Sequence, residues 1–341
     1  ENTSGSISVP SQINNLTVSG LAPYAFKDLK ELVSVSLPEG ITTISGGAFS
    51  GCKALTSVSL PASVTYIDSY AFQNCQSLAS IALPSCLDSI GKGAFANCNA
   101  LATVSIPTVD QWCKIKFADG DANPVKFAGG LTVDGKMQTE ITFPQGITAV
   151  NDYAFLGDTS IVSVILPQGI SSVGVEAFRL CSALKNVSLP SSLTTLSQYA
   201  FQDCSSLSTI SIPQSVTTIN KGAFSGCNAL TSVDIASVAS WCKIAFADAP
   251  ANPIHNAHNV TIAGVETTEF VISDVTAIND YAFAGLAASK VTISDGVTKI
   301  GVSAFDEATF AEYTLPSTLD SIGDKAFHAC VNISSVRIPP S

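Results

Sequence analysis

Charge is what this chain has least of. Asp, Glu, Lys and Arg make up only 13% of its 341 residues, and only 16 of them are basic. The usual charged share is about a quarter. With 27 acidic residues the formal net charge is −11. That balance argues against a phosphate-backbone ligand, because nucleic-acid binders carry basic patches. It argues equally against an anionic membrane surface. Low charge with 46% hydrophobic residues also excludes disorder, which needs the opposite composition. No apolar run reaches the ~18 residues of a membrane span. No signal peptide opens the chain, and "ENTSGSIS" reads as a mature or trimmed N-terminus behind an export signal or lipid anchor.

Catalytic equipment is equally scarce. Three His, no Gly-x-Ser-x-Gly and no recurring carboxylate pair leave little from which to build a hydrolase, so no enzyme is expected. There is no CxxC and no Cys/His cluster, so neither a metal nor a cofactor is called for. "GGAFSGCK" from Gly46 lacks the Gly-Lys-Ser/Thr ending of a phosphate loop. "DGDAN" at Asp119 starts like a calcium loop, but Pro124 stands where a Gly is needed. His255 and His258 in "HNAH" have no evident third ligand and read as an exposed loop.

What the chain does have is repetition. Ala-Phe falls at Phe26, Phe49, Phe72 and Phe95, then at Phe155, Phe178, Phe201 and Phe224, each time in steps of 23. It ends at Phe283, Phe305 and Phe327 in steps of 22, so eleven of the 17 Phe share one slot. A period of 20–29 with Leu-x-x-Val-x-Leu, here Leu55, Val58 and Leu60, is a leucine-rich-repeat pattern. Val58 and Leu60 share one face of a short strand, with Ser57 and Ser59 on the other. Pro61 ends the strand because it has no N–H for the ladder. Val64 and Ile67 read as a second extended piece, and "SYAFQNC" as a helical turn or tight corner. One such coil cannot bury its own apolar side, whereas stacked coils can. Each Phe then lies over the Phe of the coil below, and each burial is worth roughly 1.5–3 kcal/mol. Cys52, Cys75, Cys98, Cys181, Cys204, Cys227 and Cys330 all follow the repeat Phe by three residues. They read as buried free thiols that act as small hydrophobes.

A longer period is superposed. "WCKIKFADGDANPVKF" at Trp112 returns as "WCKIAFADAPANPIHN" at Trp241, 129 residues later. The Phe column pauses there for 60 residues and then 59, one coil plus about 36 more each time. Each pause reads as an insert: a short amphipathic helix ending near Asn-Pro, then a β-hairpin that rejoins the sheet. Trp112 and Trp241 would seal the inserts onto the stack. The structural core is therefore expected at Phe49, Phe72, Phe95, Phe155, Phe178, Phe201, Phe224, Phe283, Phe305, Phe327, Trp112 and Trp241.

"LTSVSLPASVTYIDSYAFQNC" and the interrupting W-C-K-I-x-F-A-D-x-x-x-N-P resemble the BspA-like, or treponemal-type, leucine-rich repeats. The resemblance runs from about Ile7 to Ile338. It implies a right-handed solenoid with a parallel sheet along one side. It also implies a secreted or surface-anchored bacterial protein, some relatives of which bind host extracellular-matrix or clotting proteins, or other bacteria. No catalytic residues come with it.

The fold expected is thus an α/β repeat solenoid: a right-handed leucine-rich-repeat stack with a parallel β-sheet on one face, short second strands, helical turns at the corners and two insert-bearing coils. It is expected as one elongated body over 1–341. Repeats with an N-terminal cap fill 1–106, an insert 107–138, repeats 139–235, a second insert 236–267 and repeats 268–341. The outward strand positions, such as Ser34/Ser36, Ser57/Ser59 and Thr209/Ser211, make a smooth hydroxyl-rich face with few anchors: no Trp, almost no Arg and only rare charge. Loops on rigid scaffolds are where binding usually sits. The candidate binding residues are therefore Lys114, Lys116, Asp119, Asp121, Lys126 and Lys136, and in the second copy Lys243, Asp248, His255, His258 and Glu266. The expected function is non-catalytic: a cell-surface or secreted adhesin, open to a lipid anchor ahead of its N-terminus, whose partner is a host matrix, serum or mucosal protein or another microbe's surface. The alternative is a structural spacer that projects another domain.

Overall fold

The computed structural model describes residues 5–333. The chain divides into two compact units. One comprises the residues up to Pro144 with Val150–Ile161 and Glu176–Cys181; the other comprises Gln145–Ala149, Val162–Val175 and the residues from Ser182 onward. Each unit is a β-solenoid built from coils stacked by parallel ladders.

In the first unit Leu32–Ser36 pairs with Ser57–Ser59 in register Ser34↔Ser57 and Val35↔Val58, one 23-residue period apart. Val35 and Val58 face the core while Ser57 and Ser59 are exposed. The alternation follows from the two-residue period of a strand. A second parallel ladder runs through Thr43–Ile44, Tyr66–Ile67, Ser89–Ile90 and Lys116–Phe117. The second unit repeats both ladders. Its first sheets include Thr209–Ile212 against Ser232–Ile235, and Glu269–Ile272 against Lys290–Ile293. Its second strands include Thr195–Leu196 against Thr218–Ile219.

The corners are tight turns, not the helical turns expected. In the coil around Phe49 the N–H groups alternate in direction. Those of Ala48, Ser50 and Cys52 bond back three residues to Ser45, Gly47 and Phe49, whereas those of Gly47, Phe49 and Gly51 donate to Ser69, Ala71 and Gln73 of the next coil. An α-helix would turn every N–H inward to residue i−4. The alternation requires left-handed backbone two residues before and two after each Phe. All eleven coils have it, from Tyr24 and Asp28 (both φ 60) to Lys325 (φ 57) and Ala329 (φ 54). Gly, Asn and Asp tolerate that region; other residues are strained there by about 1–2 kcal/mol.

Between these flanking residues the Phe rings stack. Phe26, Phe49, Phe72 and Phe95 follow one another at 5.2–5.3 Å, and Phe155 meets Phe178 at 5.3 Å. In the second unit Phe201 stacks on Phe224 at 5.6 Å, and Phe283, Phe305 and Phe327 continue at 5.4 Å. The Cys column has its own physical reason. Cys75 Sγ donates to the carbonyl of Phe49, and Cys98, Cys181 and Cys227 do the same to Phe72, Phe155 and Phe201, all at 3.1 Å. A thiol is small enough for the core and gives a second donor to a carbonyl that already accepts a backbone N–H from its own corner.

The pauses in the Phe column are not detours. Val104 pairs with Leu131, and Ser89 with Lys116, each 27 residues on. The segment is thus one slightly longer coil, in which Asp121 accepts the N–H of Phe95 and Ala122, fully buried, takes the Phe position. Trp112, also fully buried, lies on Phe117 at 5.1 Å and donates Nε1–H to the Ala154 carbonyl at 2.9 Å. In place of one helix ending near Asn-Pro there are two one-turn helices, Val109–Trp112 and, beginning after Pro124, Val125–Ala128. Asn-Pro therefore starts a helix here and does not end one, which suits the fixed φ of Pro at a helix start. A hairpin of Leu131–Val133 and Lys136–Met137 follows, its first strand in parallel with Thr103–Ile106. The second copy has Val238–Trp241, Ile254–Ala257 and a hairpin of Val260–Ile262 with Val265–Thr267.

Candidate functional site: a mixed-charge recess

Asn123 fixes the loop of the first long coil to the coil that follows. It is fully buried; its Nδ2 donates to Tyr153 O at 2.6 Å and Ala154 O at 3.2 Å, and its Oδ1 accepts from Val125 N at 2.8 Å. Gly120 permits close approach, since a Cβ there would lie 2.7 Å from Leu156 Cδ2. The loop overhangs two corners, and a recess of about 320 Å³ opens between them. Its walls are Asp119, Gly120, Asp121 and Lys126 from the loop, Tyr153 and Leu156 from one corner, and Glu176, Arg179 and Leu180 from the next. That volume lies at the lower end of the range typical for ligand pockets.

Two ion pairs line the recess: Lys126 to Asp121 at 2.6 Å, and Arg179 to Glu176 at 2.9 Å. All four side chains are partly exposed, so each pair is worth at most about 1 kcal/mol and is easily exchanged for another partner. Burial raises the Tyr153 hydroxyl above its ordinary value, and the charges of Glu176, Asp152 and Asp119 raise it further.

Of the residues singled out by sequence, Asp119, Asp121 and Lys126 meet here. Asp119 has a scaffold duty as well, because its Oδ1 accepts from Gly93 N at 3.0 Å and Ala122 N at 2.8 Å. Lys114 stands apart, paired with Asp110 at 2.7 Å. Lys116 and Lys136 are exposed on short strands and do not line the recess. In the second copy Asp248 repeats the scaffold role, accepting from Gly222 N at 3.0 Å and Ala251 N at 2.8 Å. His255 is half-buried, with its Nδ1 enclosed and unpaired. His258 is exposed, and its Nδ1 lies 2.8 Å from Gly285 O. Lys243 and Glu266 are exposed. Among the described residues no group of three His, Cys, Asp or Glu is placed to hold a metal ion, and no helix is long and apolar enough to cross a membrane.

The model of the BspA type leucine-rich repeat region matches in six copies over residues 6–120, 134–251 and 262–341. The chain belongs to the BspA-type leucine-rich repeat family. No curated protein matches it. Among solved structures this BspA-type chain is similar to a leucine-rich repeat protein from Bacteroides ovatus ATCC 8483, with a TM-score of 0.60 and 22% identity, over 96% of this chain and 88% of that one. It is also similar to the T. pallidum leucine-rich repeat protein (TM-score 0.37, 27% identity, 59% and 77% covered). A leucine-rich cell surface protein from Faecalibacterium prausnitzii A2-165 is a third (0.40, 25%, 68% and 74%).

The five wall residues from the corners, Tyr153, Leu156, Glu176, Arg179 and Leu180, were not singled out by sequence. A signal for three of them was present. The corner phrase reads YAFQN at Tyr70, GAFAN at Gly93, YAFQD at Tyr199 and GAFSG at Gly222, but EAFRL at Glu176. Glu176 (φ 51) and Leu180 (φ 63) occupy the two left-handed positions. Leu180 is the one large aliphatic residue at any such position among the eleven coils, and it is 40% exposed.

Proposed function

We propose that this BspA-type chain is a non-catalytic protein-binding repeat protein, displayed at the cell surface or secreted, that acts as an adhesin toward host extracellular or mucosal proteins or toward other microbes. The observation that carries the reading is the recess. Packing fixes the Ala-Phe of every corner and leaves the flanking positions free, and at Glu176–Leu180 those positions hold an ion pair and a strained Leu that line the recess. The fold requires the left-handed backbone at Leu180 but not a Leu there, and side chains held in strained backbone cluster where function is carried. The hydroxyl-rich strand faces offer no comparable anchor: the shallow groove over Ser163–Ile165, Asn186–Ser188 and Thr209–Ser211 has no charged or aromatic lining. A surface location agrees with the family resemblance.

The test is binding to immobilised fibronectin, fibrinogen, collagen and mucin, at physiological and high salt. Saturable binding to one of them, abolished when residues 114–136 are replaced by an ordinary coil, is the expected result. Flat responses to all four would leave a spacer that projects another domain.

A further inference from the structure

The recess has a definite electrostatic sign. Its two cations already have carboxylate partners, Lys126 with Asp121 and Arg179 with Glu176. Asp119 is the surplus: three carboxylates line the recess against two cations. Asp152 adds to the negative field at Tyr153. An incoming anion would face this excess and the −11 charge of the whole chain. An incoming cation would be drawn in by both.

The apolar part of the wall has a matching shape. Tyr153, Leu156 and Leu180 are an aromatic ring and two aliphatic side chains beside the carboxylates. Long cationic side chains need this combination, because their methylene stems cover apolar surface while their heads seek charge. An aromatic face beside the head adds cation–π attraction. The second copy is not built this way. At an offset of 129 residues Pro250 stands for Asp121 and His255 for Lys126, and at an offset of 127, because the later coils are shorter, the second corner carries Ser303 and Asp306 for Glu176 and Arg179. The twin thus lacks both ion pairs.

We propose that the recess of the first long coil seats the cationic side chain of a lysine- or arginine-rich segment of the partner protein, against Tyr153 and between Glu176 and Asp121. This deepens the protein-binding reading and rests on it. The arriving cation takes over one carboxylate from Arg179 or Lys126, an exchange that costs little because both pairs are partly exposed.

The test is anisotropy of labelled hexaarginine and hexaglutamate peptides titrated with the full chain. The expected result is one saturable hexaarginine site and no hexaglutamate binding. Glu176→Gln should weaken the site by about tenfold or more, as the loss of one charge-assisted contact does. Asp121→Asn, at an exposed side chain, serves as a second variant should Glu176→Gln disturb the corner. Asp320→Asn, an exposed residue outside the recess, should leave affinity unchanged. Equal weakening by Asp320→Asn would overturn the proposal in favour of diffuse charge, hexaglutamate binding would reverse its sign, and absence of hexaarginine binding would end it. If the peptides fail while replacement of residues 114–136 still abolishes binding to a matrix protein, the basic-segment proposal falls alone.

Discussion

Asp158 stands in the Cys position of its coil, three residues after Phe155, and is fully buried. Its Oδ1 accepts from Ser160 N at 2.9 Å, Ser160 Oγ at 2.7 Å and Ile161 N at 3.2 Å, while its Oδ2 has no partner. Burial raises the carboxyl from 3.8 to about 6, against the pull of those hydrogen bonds. Between about 4 and 6 the folded chain keeps a proton that the unfolded chain has lost, so this residue's contribution to stability falls across that window and stays low above it. Ionising a carboxyl held that far above its ordinary value costs the fold about 3 kcal/mol. Asp158→Asn should therefore match the wild type near pH 4 and exceed it by up to about 3 kcal/mol at neutral pH, read as the gap between denaturant curves. A gap that does not change with pH would contradict this. The Cys column behaves oppositely: its members are inert. Burial pushes the Cys52 thiol up to about 11 and Cys98 and Cys227 up to about 12. Cys86 alone of the ten is exposed. A thiol reagent should label one cysteine per native chain, at Cys86, and all ten after unfolding; rapid native labelling at Cys75 or Cys181 would refute the packing described.

The corner is the element that defines this fold, and it explains residues that look arbitrary in sequence. Tyr199 precedes a coil with Gly222 at the same position, where φ is 59 and an added Cβ would lie 2.6 Å from the Tyr199 ring. Gly222→Ala should cost at least about 1–2 kcal/mol for the left-handed backbone alone. Part of any excess should vanish in the double variant with Tyr199→Ala; strict additivity would deny the contact. Leu180→Asn places a tolerant residue at φ 63 and should stabilise the chain by up to about 1 kcal/mol, measured as a higher unfolding midpoint. The Phe beat made the coils legible, because a buried ring per coil is a packing requirement that sequence must honour. The corner was misread for a physical reason. Ala-Phe-x-x-Cys puts two apolar residues three apart, which a helix would also bury, and Tyr, Glu or Lys at a left-handed position announces nothing. The long coils are harder to see in sequence because Ala122 and Ala251 stand in the Phe slot.

At the scale of the whole molecule, repetition separates the residues the fold needs from those it does not. The candidate loop at 119–126 could be found in sequence as a break in the beat. The recess could not, because its walls come from three segments that only stacking brings together. Of the residues expected to bind, Lys114, Lys116 and Lys136 lie outside the recess, and Asp119 and Asp248 also hold the scaffold. On the proposed function the Glu176–Leu180 corner serves binding and not folding. The most direct measurement restores the ordinary phrase there, with Glu176→Tyr, Arg179→Gln and Leu180→Asn together, and compares stability and matrix-protein binding with the wild type. The expected chain is at least as stable and no longer binds; a chain that binds as before would remove the corner from the binding site.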